Sequence, residues 1–372
     1  MVKVIKDKVL LIPNDIKPSS NKFEVLGVLN PAAVRLNDRR ILLYVRVLER
    51  LKKRQDLRYF YVPRFVGKNN FEVKIDKIKK KPGINGDDFA VYFKNGTKCL
   101  TYLNHFRRVY LDKTGINVLK IEQKPSFYGL ANDSELGVED PRIVKIAEKY
   151  YLTYVGITRK ESISTYLAES NDCIQWKRHG IIFGQQDKDV VLFPEKVNGN
   201  YVVFDRPEGS FQLHPPNIWI AFSKDLVYWG KPKAITLSSK TKEFGRVGSG
   251  PPPLKTEKGW LLIFHAVTLI HQKGLIYFLK KVIGTKVEEG PKMYCVWAAL
   301  FDLNNPEKLI ARSHHPVLVP RKKAEISSEG KRVIFPTGII EDGKDILLYS
   351  GIGDKSVSVK KITLKDIFKT LE

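Results

Sequence analysis

The chain has 372 residues, 43% of them apolar, enough to bury a large core as two domains or as one large repeat fold. No run reaches the ~20 apolar residues of a membrane span. Three cysteines and seven histidines, without CxxC or HExxH spacing, argue against a disulfide scaffold and a zinc site. The net charge of +24 raises nucleic acid as a partner, but the basic residues fall in short clusters such as "LERLKKRQDLR" and "KIDKIKKK". No zinc-finger, RNP-like or helix-turn-helix pattern accompanies them, so they read as solvated faces whose field would favour an anionic substrate. The charged start "MVKVIKDKVLLIP" does not read as a signal peptide. The expectation is a cytoplasmic, metal-free protein, and its Lys-rich, Met-poor surface also suits a hot environment.

Along the chain, five segments share one shape: a proline, an apolar residue three places on, a polar turn and a dense apolar strand. They are "NPAAVRLNDRRILLYVRV", "DPRIVKIAEKYYLTYVGI", "FPEKVNGNYVVFDRP", "GPPPLKTEKGWLLIFHAV" and "FPTGIIEDGKDILLYSGIG". Their turns have hairpin composition, and the second strands are apolar enough to be buried on both faces. Between them, "AESNDCIQW" and "AFSKDLVYW" repeat an A-x-S-x-D-x-x-x-W pattern, with a worn copy near Asp302. Its Asp ties a turn through the side chain and its Trp packs between sheets, which is architecture.

Helical periodicity is confined to the C-terminal "TLKDIFKTLE". The predicted fold is all-β, a five-bladed β-propeller with a short C-terminal helix, spanning 1–372 as a single catalytic domain. A β-sandwich with a smaller domain is the competing arrangement. Uneven spacing of the copies places insertions near 48–130 and 270–293.

In a propeller the positions before each apolar partner converge on the axis. They are Asn30, Asp140 with Glu139, Glu195 with Lys196, the glycines of "RVGSGPPP" and Thr337. Strand ends add Arg46, Asp205 with Arg206, His265 and Asp354. A purely structural repeat would be bland at these positions; here they carry carboxylate, amide, guanidinium and imidazole groups. Such a ring suits a sugar, with Tyr128, Trp219, Tyr294 and Trp297 as candidate stacking surfaces. Hydrolysis of a glycoside needs two carboxylates. A phosphorylase needs one acid and a cationic cradle, for which Arg46, Lys188, Arg206 and His265 are candidates.

Together "GVEDPRIV", "VVLFPEKVNGNYVVFDRP", "RVGSGPPPLKTEKGWLLIFHAV" and "FPTGIIEDGKDILLYSGIGD" resemble glycoside hydrolase family 130, mostly β-mannoside phosphorylases. The resemblance implies a five-bladed propeller in which Asp140, the Asp of E-D-P-R, is the general acid. It would protonate the glycosidic oxygen through a hydroxyl of the bound mannose, while phosphate attacks the anomeric carbon with inversion and gives α-mannose 1-phosphate. It further implies phosphate contacts at Arg46, Arg206 and His265 and mannose contacts at Asp354 and Asn30. Lys188 adds to the phosphate set, and Glu139, Glu195 and Asp205 to the substrate set. The co-substrate is inorganic phosphate with no other cofactor, and the partners are a β-mannoside and phosphate, not a membrane or nucleic acid. The sequence leaves homo-oligomerisation open.

The chain departs from the family at Asp205, where relatives often carry His, at Thr165, where many carry Arg, and after Arg46, where Arg50, Arg54 and Arg58 are substitutes. Two readings compete with phosphorolysis. One is a hydrolase of the same fold, with Asp205 or Glu195 activating water. The other is a non-catalytic propeller that binds carbohydrate or nucleic acid.

Overall fold

The computed structural model describes residues 2–209, 213–237, 245–269 and 292–371. Among them the protein is all-β apart from two 3-10 turns and one short helix, Leu364–Phe368. That helix is capped by the Thr363 side chain, which accepts from Asp366 N, the expected start signal at "TLKD". Among the described residues no helix is long and apolar enough to cross a membrane.

The expected hairpins form, and each belongs to an antiparallel unit, in the first three units with its first strand at the edge of a four-stranded sheet. The first unit orders Val118–Ile121, Tyr102–Leu111, Ile41–Leu51 and Phe23–Arg35. The second runs Gly137–Ile146, Lys149–Ile157, Ile163–Ser170 and Lys177–Phe183, and the third Asp187–Leu192, Tyr201–Pro207, Trp219–Ser223 and Trp229–Ala234. The fourth contains Arg246–Ser249, Gly259–Leu269, Lys292–Phe301 and Leu309–Arg312. The fifth contains Arg332–Asp342, Asp345–Ile352, Ser356–Thr363 and the chain's first strand, Val4–Leu11. Parallel pairing at Met293 with Arg332 and Tyr294 with Val333 joins these last two into one sheet.

The core follows from this division. Five apolar clusters each lie between consecutive units. Tyr44 with Tyr154 joins first to second, and Leu167 with Val203 second to third. Phe204 with Phe264 joins third to fourth, Ile263 with Leu348 fourth to fifth, and Tyr349 with Val45 fifth to first. The second strands of the hairpins are largely buried on both faces, wholly so in Asp345–Ile352, because each unit is packed on two sides.

The serine-aspartate turns form as expected. Asp172 accepts from Ile174 N and Gln175 N at 2.8 and 3.0 Å, and Asp225 from Val227 N and Tyr228 N at 3.0 and 2.9 Å. Asp302 does the same with Asn304 N and Asn305 N. Trp176 donates to the Tyr44 hydroxyl at 2.9 Å, tying the second unit to the first.

In the expected 48–130 insertion, Tyr102–Leu111 and Val118–Ile121 complete the first unit. Only the stretch before them, with strands Tyr59–Phe65, Val73–Lys79, Ile84–Gly86, Ala90–Phe93 and Lys98–Leu100, stands apart as two small sheets. The second expected insertion, 270–293, lies outside the described residues except for Lys292 and Met293.

Candidate active site

The first strand of each hairpin is interrupted at a corresponding place. Register slips by one residue between Leu29 and Ala32, Glu139 and Arg142, Lys188 and Val191, and Pro336 and Gly338. These are β-bulges, which turn a side chain out of the ladder and leave a backbone N–H without a partner. At three of them the extra residue is left-handed: Asn30 at φ 40, Asp140 at φ 50 and Asp189 at φ 54. Asn and Asp tolerate that region best after glycine. In the first two bulges a proline follows, which has no N–H to leave unpaired.

This register corrects the reading of the third copy. The residue equivalent to Asp140 is Asp189, followed by Val190 rather than proline. Pro194 belongs to the approach to the hairpin turn, where it imitates the motif. Glu195 is therefore not equivalent to Asp140. It is exposed beyond Leu192, with its carboxylate 2.5 Å from Lys255, and six residues from Asp189, or about 20 Å of strand.

Around Asp140 the expected groups come together. Its Oδ1 accepts from Asn30 Nδ2 at 2.7 Å and from Arg46 Nη1 at 2.8 Å. Arg46 Nη2 reaches Glu139 Oε1 at 2.6 Å, and Asn104, which the sequence did not single out, bridges Arg46 Nε and Glu139 Oε1 at 3.0 and 2.8 Å. Burial raises the Asp140 pKa, but Arg46, Arg142, Asn30 and Lys188 outweigh it and hold the carboxyl well below the usual range. Both donors sit on Oδ1, so Oδ2 is the oxygen left to face a substrate.

Behind it lies a second cluster centred on Asp189, 4% exposed. Arg206 Nη1 is 2.5 Å from Asp189 Oδ2, Arg142 Nη2 is 3.6 Å from Oδ1, and His265 Nε2 is 3.5 Å from Oδ2. Arg142 is anchored by Nε to Gly250 O at 2.6 Å and by Nη1 to Asp140 O at 2.9 Å. Burial lowers the His265 pKa to about 4, so the imidazole is neutral near pH 7 and its ring packs 4.3 Å from Phe335. Among the described residues, Arg206 Nε and both ring nitrogens of His265 have no hydrogen-bond partner. The Lys188 ammonium has no partner either, and its charge is felt at Asp140. Buried donors without acceptors are costly; Arg206 Nε and the one N–H of the neutral His265 ring are such donors here.

Other expectations separate from the site. Asp205 is buried, but strand alternation turns it away from Arg206 and against Asp187. Burial drives both carboxyls up, and their mutual repulsion adds to this for Asp187, so the pair holds a proton. Asp354, left-handed at φ 52, is exposed at the rim of the Asp140 cluster. Burial, together with the charges of Glu329 and Asp140, raises its pKa even so. Thr337 is used structurally, donating to Pro31 O at 2.9 Å. Thr165 donates to Asp187 O, while Arg50 and Arg54 pair with Glu24 and Asp88. Of the four aromatic candidates, Trp297 is core at 5% exposure. Tyr128 packs on Phe65 and Phe71, and Tyr294 lies 6.3 Å from His265. Among the described residues no group of His, Cys, Asp and Glu could hold a metal ion.

The beta-1,4-mannooligosaccharide phosphorylase family, glycoside hydrolase family 130, matches residues 89–372. The chain belongs to this family. It is 35% identical over 260 residues to a 1,2-beta-oligomannan phosphorylase of a Thermoanaerobacter species, covering 69% of this chain and 78% of the relative. A beta-1,2-mannobiose phosphorylase of Listeria innocua is 28% identical over 368 residues, covering 98% and 96%. The solved structure of a Listeria innocua beta-1,2-mannobiose phosphorylase, in complex with beta-1,2-mannobiose, superimposes with a TM-score of 0.81. That match has 28% identity and covers 97% of this chain and 96% of the other.

Proposed function

We propose that this member of family 130 is an inverting β-mannoside phosphorylase that uses inorganic phosphate and no other cofactor to release α-mannose 1-phosphate. It is an enzyme, by its membership of the family and its likeness over nearly its whole length to β-mannoside phosphorylases. The observation that carries the finer reading is Asp140, with one oxygen free, beside the half-buried Lys188 ammonium and the unpartnered Arg206 Nε and His265 ring nitrogens.

Asp140 acts as the acid through Oδ2: it is ionised in the free enzyme, and a phosphate anion bound beside Lys188 and Arg206 offsets the cations that lower its pKa, so that it takes up the proton it passes toward the glycosidic oxygen by way of a mannose hydroxyl. Lys188, Arg206 and His265 hold phosphate, whose oxygen attacks the anomeric carbon from the other face. Arg46 orients Asp140 and neutralises charge, while Asn30, Glu139 and Asp354 receive the sugar. The hydrolytic alternative is disfavoured by position: Asp205 faces Asp187, and Glu195 sits in the distant hairpin turn.

In this reading the five units are the blades of a propeller and the bulges ring its axis. The closed succession of five inter-unit cores supports it. The named relatives make β-1,2-mannosides the first substrates to try, in the cytoplasm, where phosphate is at hand.

The test is release of mannose 1-phosphate from β-1,2- and β-1,4-mannobiose with and without phosphate. Phosphate-dependent release is expected, and Asp140→Asn should lose at least ~10²-fold in rate while folding normally. Equal cleavage without phosphate would sink the phosphorylase reading.

A further inference from the structure

Asn104 carries no charge, yet it sits inside the most crowded ionic contact of the site. It is 0% exposed and lies on strand Tyr102–Leu111, opposite Leu48 of Ile41–Leu51. Strand alternation puts Leu48 and Arg46 on one face, so Asn104 and Arg46 are diagonal neighbours within side-chain reach. The strand that carries Glu139 closes the third side. Gly137, two residues before Glu139, lies so near that a Cβ there would be 3.0 Å from Asn104 N. The Asn104 side chain is thus confined between Arg46 and Glu139.

Its two ends fit these two groups. The amide oxygen accepts from Arg46 Nε at 3.0 Å, and the amide nitrogen donates to Glu139 Oε1 at 2.8 Å. Arg46 Nη2 also donates to Glu139 Oε1, at 2.6 Å, so the three side chains form a closed ring. The Nε and Nη2 edge of a guanidinium is a fork that one carboxylate can fill with both oxygens, the stronger pairing. Here Asn104 takes Nε, so Glu139 keeps one bond, and Nη1 is left to reach Asp140 Oδ1 at 2.8 Å. With an apolar side chain in place of the amide, both Glu139 oxygens can close on the fork and draw Arg46 off Asp140.

We propose that Asn104 is a positioning residue of the reaction: by occupying Arg46 Nε it divides one guanidinium between Glu139 and Asp140, and so aims the Asp140 carboxyl. It acts through Arg46 rather than on the substrate. The inference rests on the reading of Asp140 as the acid, which Asp140→Asn tests by itself.

The charged groups facing Asp140 are Arg46, Arg142 and Lys188, which lower its pKa, with Glu139 beside it and Asp354 and His265 within range of its charge. Of these, Asn104 touches Arg46 and Glu139. Asn104→Leu should lower kcat at least ~tenfold while the phosphate KM stays within about twofold. With Arg46 withdrawn, Asp140 keeps its proton to higher pH, so the alkaline limb of the kcat profile should move up. A residue that only packs would leave that limb in place. In a Glu139→Gln background no carboxylate is there to close on the fork, and adding Asn104→Leu should cost less than about twofold. Wild-type kcat in Asn104→Leu, an unshifted limb, or an equal loss in the Glu139→Gln background each overturns the inference. If Asn104→Leu alone does not fold, the double variant decides, since Glu139→Gln removes the buried carboxylate that would be left short of a donor. An inactive Asp140→Asn beside an unaffected Asn104→Leu removes this inference and keeps the acid; a fully active Asp140→Asn removes both.

Discussion

Asp189 is the residue on which the most charged groups of the site converge, and the sequence hides it because Val190, not a proline, follows it. The readable signal was the Asn or Asp four places before an apolar core residue: Asn30 before Val34, Asp140 before Val144, Asp189 before Phe193. A left-handed bulge selects that side chain, whereas proline afterwards is optional. Asp189→Asn keeps the shape but removes the charge that Arg206, Arg142 and His265 face. The expected result is a phosphate KM raised about tenfold, or ~1.4 kcal/mol, with a smaller change in kcat and partial rescue by Asp189→Glu. A lower melting temperature with unchanged phosphate KM would make its role purely structural. The Asp187 and Asp205 pair allows a pH prediction at the same scale. Both folded pKa values are raised, so the pair stabilises the fold fully below the unfolded value near 4 and loses that contribution as pH rises through the folded values. Wild-type thermal stability should therefore decline toward alkaline pH, and Asp205→Asn should flatten the decline. Identical pH profiles would mean that the two carboxyls share no proton.

At the scale of elements, hairpins, serine-aspartate turns and the terminal helix were all legible, because each depends on local chemistry within about ten residues. Which residues meet across units was not, since it depends on register, and a bulge shifts register by one without an unambiguous mark in the sequence. Glu195 and Asp205 show the two ways this fails. Glu195 follows a proline that sits past the bulge, and Asp205 neighbours Arg206 in sequence but lies on the opposite face of its strand, against Asp187. The strand Arg246–Ser249 shows how tightly the bulges are served by their neighbours. A Cβ on Gly248 would lie 2.1 Å from Asp189 Oδ2, 2.6 Å from His265 Cε1 and 2.8 Å from Arg206 Nη1. Gly248→Ala should therefore displace the Asp189 cluster and lower activity at least tenfold, on the order of a 1.4 kcal/mol rise in barrier. Gly184→Ala, where a Cβ meets nothing within 4 Å, is the matched control and should be neutral. Full activity in Gly248→Ala would show that the cluster is not held in this geometry during turnover.

For the whole molecule, the question is what keeps five units around one site when each alone offers only a thin sheet. The inter-unit cores do most of this, and the chain's own start fastens the last interval. Strand Val4–Leu11 pairs with Ser356–Thr363, Val4 opposite Ile362 and Leu11 opposite Val357. The side chains add a buried ionic clasp. Lys360, 2% exposed, donates to both oxygens of Asp7 at 3.0 Å and to Glu325 Oε1 at 2.9 Å, and Lys322 lies 2.7 Å from Asp7. Breaking one partner of a buried pair leaves the other charge uncompensated, at a cost of about 3 kcal/mol, whereas replacing both by apolar groups is close to neutral. Lys360→Met alone should thus lower the melting temperature clearly. Adding Glu325→Gln should recover part of the loss, because Asp7 keeps Lys322 and the Glu325 charge is gone. Residual activity per folded molecule should be unchanged in both, since neither residue touches the Asp140 or Asp189 clusters. If the single variant is as stable as the wild type, strand pairing and apolar packing alone hold the first strand to the last. If the double variant is no better than the single, the cost lies in lost packing of the lysine stem rather than in the stranded charge.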